Sequence, residues 1–291
     1  MTDATFPEIG THRRVDVGEV GLHLVEAGAG PLVVFLHGFP EFWYSWRHQL
    51  PAVAAAGFRA VAPDLRGYNE SDRPRRVADY RTARLVADVA GLIERLGGGP
   101  AVVVGHDWGG IVAWLVAMRR PDLVRGLVVM NAPHPGTFPR ELRRPRQLLR
   151  SWYTFFFQLP WLPEAVLRAG DYALLGRALR RGPAHSTGDV RRYKAAFARP
   201  GALSAAINYY RAAFQYRREA AEGVRPVRGP ALVVWGDRDP FLNPHVLDGL
   251  PEWAPDARVV RLPQAGHWVQ NDAPEAVNRA LLAFLAGLDP R

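Results

Sequence analysis

The feature that most constrains this chain is a rhythm. Six short aliphatic runs, LVVFLHG (32–38), FRAVAPD (58–64), AVVVGHD (101–107), RGLVVMNAP (125–133), ALVVWGD (231–237) and ARVVRLP (257–263), recur along it. Segments with helical periodicity at 43–56, 80–96, 109–119 and 274–288 lie between or after them. Continuous Val/Leu runs suit strands covered on both faces, and alternation with helices implies a parallel sheet. The earlier stretch RRVDVGEVGLHLVEAG alternates with period two around a glycine, as an antiparallel hairpin at a sheet edge does. The rhythm breaks at about 136–223, where Arg, Ala, Leu and aromatics keep helical spacing without a Val-rich run. The expected fold is therefore α/β: a mostly parallel central sheet flanked by helices, formed by residues 1–135 and 224–291, with an all-helical cap at 136–223 inserted between two core strands. Such a cap would enclose the carboxyl ends of the strands, where ligands of parallel sheets bind.

Composition narrows the class. A chain of 291 residues, 48% apolar and 22% charged, can bury a large core and reads as a soluble enzyme. It has no cysteine, which excludes disulfides and thiolate chemistry. The first twenty residues hold no apolar leader, and no run of ~18 apolar residues exists, so a cytoplasmic protein without an integral membrane segment is expected. The net charge is +9, yet Lys194 is the sole lysine, so the arginine excess looks like coding bias. Arginines gather at 140, 143, 144, 146 and 150, then at 177–181 and 191–192. A solvated face is the simplest reading of them; a membrane-surface or acidic-partner patch is the alternative, and nucleic acid is not expected.

Four short motifs carry the chemistry. In G-H-D-W-G-G, Asp107 sits between a strand and a helix with Gly105, Gly109 and Gly110 around it. That is a strained turn presenting one side chain above the sheet, in the place where many hydrolases carry serine. A helix-capping aspartate is the structural alternative. H-G-F-P (37–40) follows the first run of the rhythm. Its Phe39 N–H, with that of Trp108, is a candidate oxyanion hole, and His37 braces the loop. His267, in G-H-W after the last run, is a candidate base, a role best served by a near-neutral histidine. In W-G-D-R-D-P-F, Asp239 is the candidate acid that orients His267, while Asp237 shapes the turn or pairs with Arg238. Asn131, where some relatives carry that acid, is neutral.

Together these motifs resemble the soluble epoxide hydrolases of the α/β-hydrolase superfamily, over nearly the whole chain. The resemblance implies two lid tyrosines that hold the epoxide oxygen: Tyr153 in SWYTFFFQLP and Tyr210 in NYYR, with Tyr209 adjacent. Packing in the lid is the other role open to them. The implied catalytic set is Asp107, Asp239, His267, Tyr153 and Tyr210, and the implied substrate contacts are Tyr153, Tyr210, Trp108 and Phe39. No cofactor or metal is implied. The partner is a small apolar epoxide, and a monomer or homodimer is expected. The lid aromatics Trp152, Phe155, Phe156, Phe157 and Trp161 suggest an apolar pocket, with some of them in the core.

An aspartate nucleophile displaces a leaving group from an sp3 carbon and leaves an alkyl ester on itself; water then attacks the carboxyl carbon. The oxyanion hole therefore serves the second half-reaction. Epoxides and alkyl halides both fit. Haloalkane dehalogenase is thus the alternative, with the Trp108 indole as a halide donor. In fluoroacetate dehalogenases an arginine tends to follow the nucleophile, whereas here Trp108 does. A catalytically silent binding protein would be expected to lack part of the set Asp107, Asp239 and His267, and all three are present.

Overall fold

A computed structural model describes residues 9–97, 99–182 and 184–288. The expectation about a leader falls partly on residues 1–8, outside the described residues. Eight strands form one sheet in the order β1-β2-β4-β3-β5-β6-β7-β8. They are β1 (Thr11–Asp16), β2 (Gly21–Ala27), β3 (Leu32–Leu36), β4 (Arg59–Pro63), β5 (Ala101–His106), β6 (Val124–Met130), β7 (Ala231–Gly236) and β8 (Ala257–Leu262). The β1–β2 hairpin is antiparallel and joins the sheet through an antiparallel β2–β4 pair; all other pairings are parallel. This is the α/β-hydrolase fold.

Every residue of β3, β5 and β7 is buried, which explains their unbroken aliphatic runs. The edge strand β8 departs from that picture: it mixes exposed and half-buried residues, and its valines cover only one neighbouring strand. The expected helix at 43–56 is split. A 3-10 turn covers Trp43–Trp46 and α1 begins at Gln49, so Pro51 falls in its first turn, where a missing N–H costs nothing. Helices α2 (Thr82–Leu96) and α3 (Trp108–Arg119) follow β4 and β5, and the short α11 (Leu250–Trp253) and α12 (Val269–Asp272) precede the closing α13 (Pro274–Ala286).

Between β6 and β7 the chain is helical: α4 (Phe138–Glu141), α5 (Pro145–Arg150), α6 (Trp152–Phe156), α7 (Leu162–Leu179, interrupted at 169–172), α8 (Thr187–Ala198), α9 (Ala202–Gln215) and α10 (Arg217–Ala221). α8 starts with a reciprocal cap between Ser186 and Asp189. No helix among the described residues is long and apolar enough to cross a membrane.

Candidate active site

The site forms at the carboxyl ends of β3, β5, β6, β7 and β8. Asp107 lies between β5 and α3 with φ +50°, a backbone state that bulky L-residues avoid. Space is the reason the turn is glycine-rich. A Cβ at Gly105 would strike the Gly109 carbonyl, one at Gly109 would strike the Leu36 carbonyl, and one at Gly38 would strike the Asp107 side chain.

The loop after β3 holds Asp107 from one side. The Phe39 N–H donates to Asp107 Oδ1 at 2.8 Å, and the Phe39–Pro40 peptide is cis. His37, fully buried, donates from Nδ1 to the Gly38 carbonyl (3.0 Å) and accepts the Leu65 N–H at Nε2 (3.0 Å), so it braces the loop as a neutral ring. The second expected donor, the Trp108 N–H, starts α3 directly after Asp107.

His267 faces Asp107 from the other side. Its Nε2 is 3.6 Å from Asp107 Oδ2, and its Nδ1 is 2.7 Å from Asp239 Oδ2. Asp239 is itself bonded all round. Its Oδ1 accepts the Phe241 and Leu242 N–H groups at 2.7 and 2.9 Å, and its Oδ2 also accepts Asn131 Nδ2 at 2.8 Å. Burial would raise the Asp239 carboxyl, but the charge and hydrogen bond of His267 and the bonds from Asn131 and Leu242 hold it below the usual range. Burial disfavours a charge on His267 too; Asp239 and Asp107 outweigh it and push His267 up to about 10. A base expected near neutrality is thus an imidazolium while Asp107 is charged. Asp237 lies outside this arrangement and pairs with Arg261 rather than Arg238, at 2.9 Å.

Two functional-looking residues escaped sequence reasoning. Glu41 and His106 are fully buried, with Glu41 Oε2 2.7 Å from His106 Nδ1. His106 Nε2 lies 2.9 Å from the His267 carbonyl. Both partners of the ring are acceptors, so both ring nitrogens donate. Burial would raise Glu41, but the His106 charge, its hydrogen bond and one from Ser45 Oγ hold Glu41 at about 2. Glu41 follows H-G-F-P directly and His106 lies within G-H-D-W-G-G, and that placement was the available signal.

The helical insert supplies the roof. The ring of Tyr210 packs edge-on against Phe39, Trp108 and Phe157, with centroids 5.6, 5.1 and 5.0 Å apart, and the Tyr153 ring is 5.9 Å from it. Burial first, then the Asp107 charge at Tyr153 and the charges of Tyr153 and Asp107 at Tyr210, push both phenols above their ordinary range, so they stay protonated at neutral pH. A hydrogen bond with the Trp108 side chain opposes that shift at Tyr210. The neighbouring Tyr209 is spent elsewhere: its hydroxyl donates to the Arg66 carbonyl at 2.8 Å. Phe157 is buried with this group, whereas Trp152 and Trp161 point outward, against the expectation of pocket aromatics.

The sequence profile of the family described as alpha/beta hydrolase fold matches residues 31–274. The chain is 39% identical to human (Homo sapiens) epoxide hydrolase 4 over 96% of its own length and 80% of that protein's. It is 40% identical to the AB hydrolase superfamily protein YfhM of Bacillus subtilis, over 93% and 96% of the two chains. Among solved structures it resembles a Bacillus megaterium epoxide hydrolase complexed with its product, a naphthyloxy-propane-1,2-diol. That likeness has a TM-score of 0.87 at 32% identity and covers 94% of this chain and 100% of the other. The chain belongs to the epoxide hydrolase family of α/β-hydrolase enzymes. An epoxide hydrolase from Vigna radiata shares the same architecture, with a TM-score of 0.85 at 31% identity over 97% of this chain and 99% of that one.

Proposed function

We propose that the chain hydrolyses a small apolar epoxide to a vicinal diol through an alkyl ester on Asp107, under a lid formed by residues 136–223. The observation that carries this reading is the pair of phenols, Tyr153 and Tyr210, packed against each other, with Tyr210 also against Phe39 and Trp108, which flank Asp107, while Asp107 itself meets the Phe39 N–H and His267.

Asp107 attacks a ring carbon, the C–O ring bond breaks, and a phenol of Tyr153 or Tyr210 protonates the departing oxygen. Ester formation removes the negative charge of Asp107, one of the two charges that raise His267. The imidazolium now gives up its proton, which returns to the phenolate, and His267 becomes a base at the step that needs one. It takes a proton from water, and the hydroxide attacks the Asp107 carboxyl carbon. The oxyanion forms at the oxygen facing the N–H groups of Phe39 and Trp108. Collapse expels the diol alkoxide, which takes the proton left on the Asp107 acid; carboxylate, imidazolium and phenol are all restored.

A haloalkane dehalogenase would use the Trp108 indole for halide, but that side chain is engaged with Tyr210. The deciding experiment is the Tyr153→Phe/Tyr210→Phe double variant, assayed on styrene oxide and 1-bromobutane. General-acid assistance is worth about 10²–10⁴-fold. Epoxide opening should fall at least about 10²-fold, either single variant should lose less, and any bromoalkane turnover should hardly change. Epoxide opening within a few-fold of wild type would reduce the tyrosines to packing residues and move the dehalogenase reading ahead.

A further inference from the structure

Residues 142–163 of the helical insert read LRRPRQLLRSWYTFFFQLPWLP, with four arginines and no acidic residue. The fold turns much of this segment's apolar surface outward. Leu149 is 74% exposed, Trp161 73% and Trp152 63%, and Leu148, Phe155 and Leu159 are also large and exposed. Trp161 holds its exposed position with φ +50°, a state unusual for a bulky side chain. Isolated surface apolars are ordinary; a dozen or so consecutive residues that expose two indoles and several aliphatic groups mark an interaction surface. Arginines border it. Arg143, Arg144 and Arg146 are exposed, and among the described residues only Arg144 has a carboxylate partner, Glu141 at 3.3 Å. Arg150 turns inward instead and donates to the carbonyls of Asp239 and Leu242.

We propose that this face docks on an anionic lipid surface. Trp, Leu and Phe beside Arg is the composition that sits at headgroup depth, with apolar groups in the acyl boundary and cations among the phosphates. A second copy is the other conceivable cover. An isologous contact would set the patch against itself, and with it one arginine cluster against another. The placement also suits the substrate. α6 carries Trp152 and Phe155 outward, while Tyr153 packs inward against Tyr210. An apolar epoxide dissolved in lipid would therefore reach the lid beside the residue that receives it. That last link rests on the function proposed above; the docking itself does not.

The test uses the full chain and sedimentation with vesicles, either pure phosphatidylcholine or phosphatidylcholine with roughly one-third phosphatidylglycerol. The protein should bind the anionic vesicles, shift its tryptophan emission to the blue on binding, and release as salt rises. Leu149→Ser/Trp152→Ser/Trp161→Ser should abolish the emission shift and most of the binding. Arg143→Gln/Arg144→Gln/Arg146→Gln should weaken partitioning on the order of 100-fold and remove its salt sensitivity. Both variants change exposed groups, and both should turn over a water-soluble epoxide in vesicle-free buffer as the parent does, which also shows that they fold. No vesicle binding by the parent, or equal binding by parent and variants, overturns the proposal. So does a concentration-dependent dimer lost in the serine variant, which would assign the face to self-association. An inactive parent that still binds vesicles would sink the proposed reaction and leave the docking standing.

Discussion

The sheet top and the lid segment 142–163 treat their side chains in opposite ways. At the sheet top, ionisable groups are taken out of water and bonded at almost every atom: Asp239 accepts from two backbone N–H groups, Asn131 and His267, and Glu41 and His106 form a fully buried pair. In the lid, large apolar groups are left in water while arginines ring them. The contrast teaches where each kind of function sits. Charge chemistry needs fixed distances, and strand ends supply them; capture and delivery need surface, and short helices supply that. Substitutions at the sheet top should thus be costly and those on the outer lid cheap.

The largest effect is expected at Asp107, the proposed nucleophile. Asp107→Ala should lower turnover by about 10⁴-fold or more, since the variant keeps no carboxylate at the tip of the turn to form the ester. Retention of measurable single-turnover hydrolysis would mean direct attack by water. His267→Gln should fall by about 10²–10⁴-fold for a different reason: ring opening proceeds and the ester then accumulates. Mass spectrometry after mixing with styrene oxide should find an adduct on the peptide carrying Asp107. An unmodified peptide despite normal binding would break the covalent scheme.

Breaking the buried pair should appear in stability. Glu41→Gln leaves the buried His106 charge without its counter-ion, and such losses cost about 3–5 kcal/mol. Urea unfolding measures it, and a change under about 1 kcal/mol would mean the pair is not ionic.

A subtler effect follows from the shift at His267. Its folded value, about 10, lies above its ordinary 6.5, so the proton stabilises the fold. That contribution is complete below pH ~6.5 and lost as pH rises through about 10. Asp107→Asn removes one of the two raising charges. The histidine should titrate lower by NMR, and the decline in stability across that alkaline window should be shallower than in the parent. An unchanged titration would mean that ester formation does not release the base. The smallest effect belongs to the outer lid: Trp161→Ser should change the turnover of a soluble epoxide less than twofold or so, within the usual range for surface substitutions.

Much of this organisation was legible because it was periodic or local. Strands buried on both faces write unbroken aliphatic runs, and a turn too tight for Cβ atoms writes its glycines. The rest depended on distance or direction. Glu41 and His106 are 65 positions apart, and nothing in either neighbourhood announces that they meet. α6 has five residues, too few for periodicity to say that Tyr153 turns in while Trp152 turns out. The upward shift at His267 was also hidden, since it needs two carboxylates within a few ångströms rather than any motif.

The 2.9 Å bond between the His106 ring and the His267 carbonyl spans 161 positions of sequence, and the entire helical insert lies within that span. The bond fixes His267 to the residue next to Asp107 without any help from the insert. The contact between His106 and His267 is thus made inside the core, whereas the loop that carries Asp239 is tied to the insert through Arg150 and Gln147. Such a molecule can change what it admits through the lid positions that touch neither the Asp239 loop nor the two phenols, while its chemistry stays put. A transplant of 136–223 from a relative that keeps the host's Gln147, Arg150, Tyr153 and Tyr210 should carry over the choice of epoxide and leave the rate of ester hydrolysis with the host.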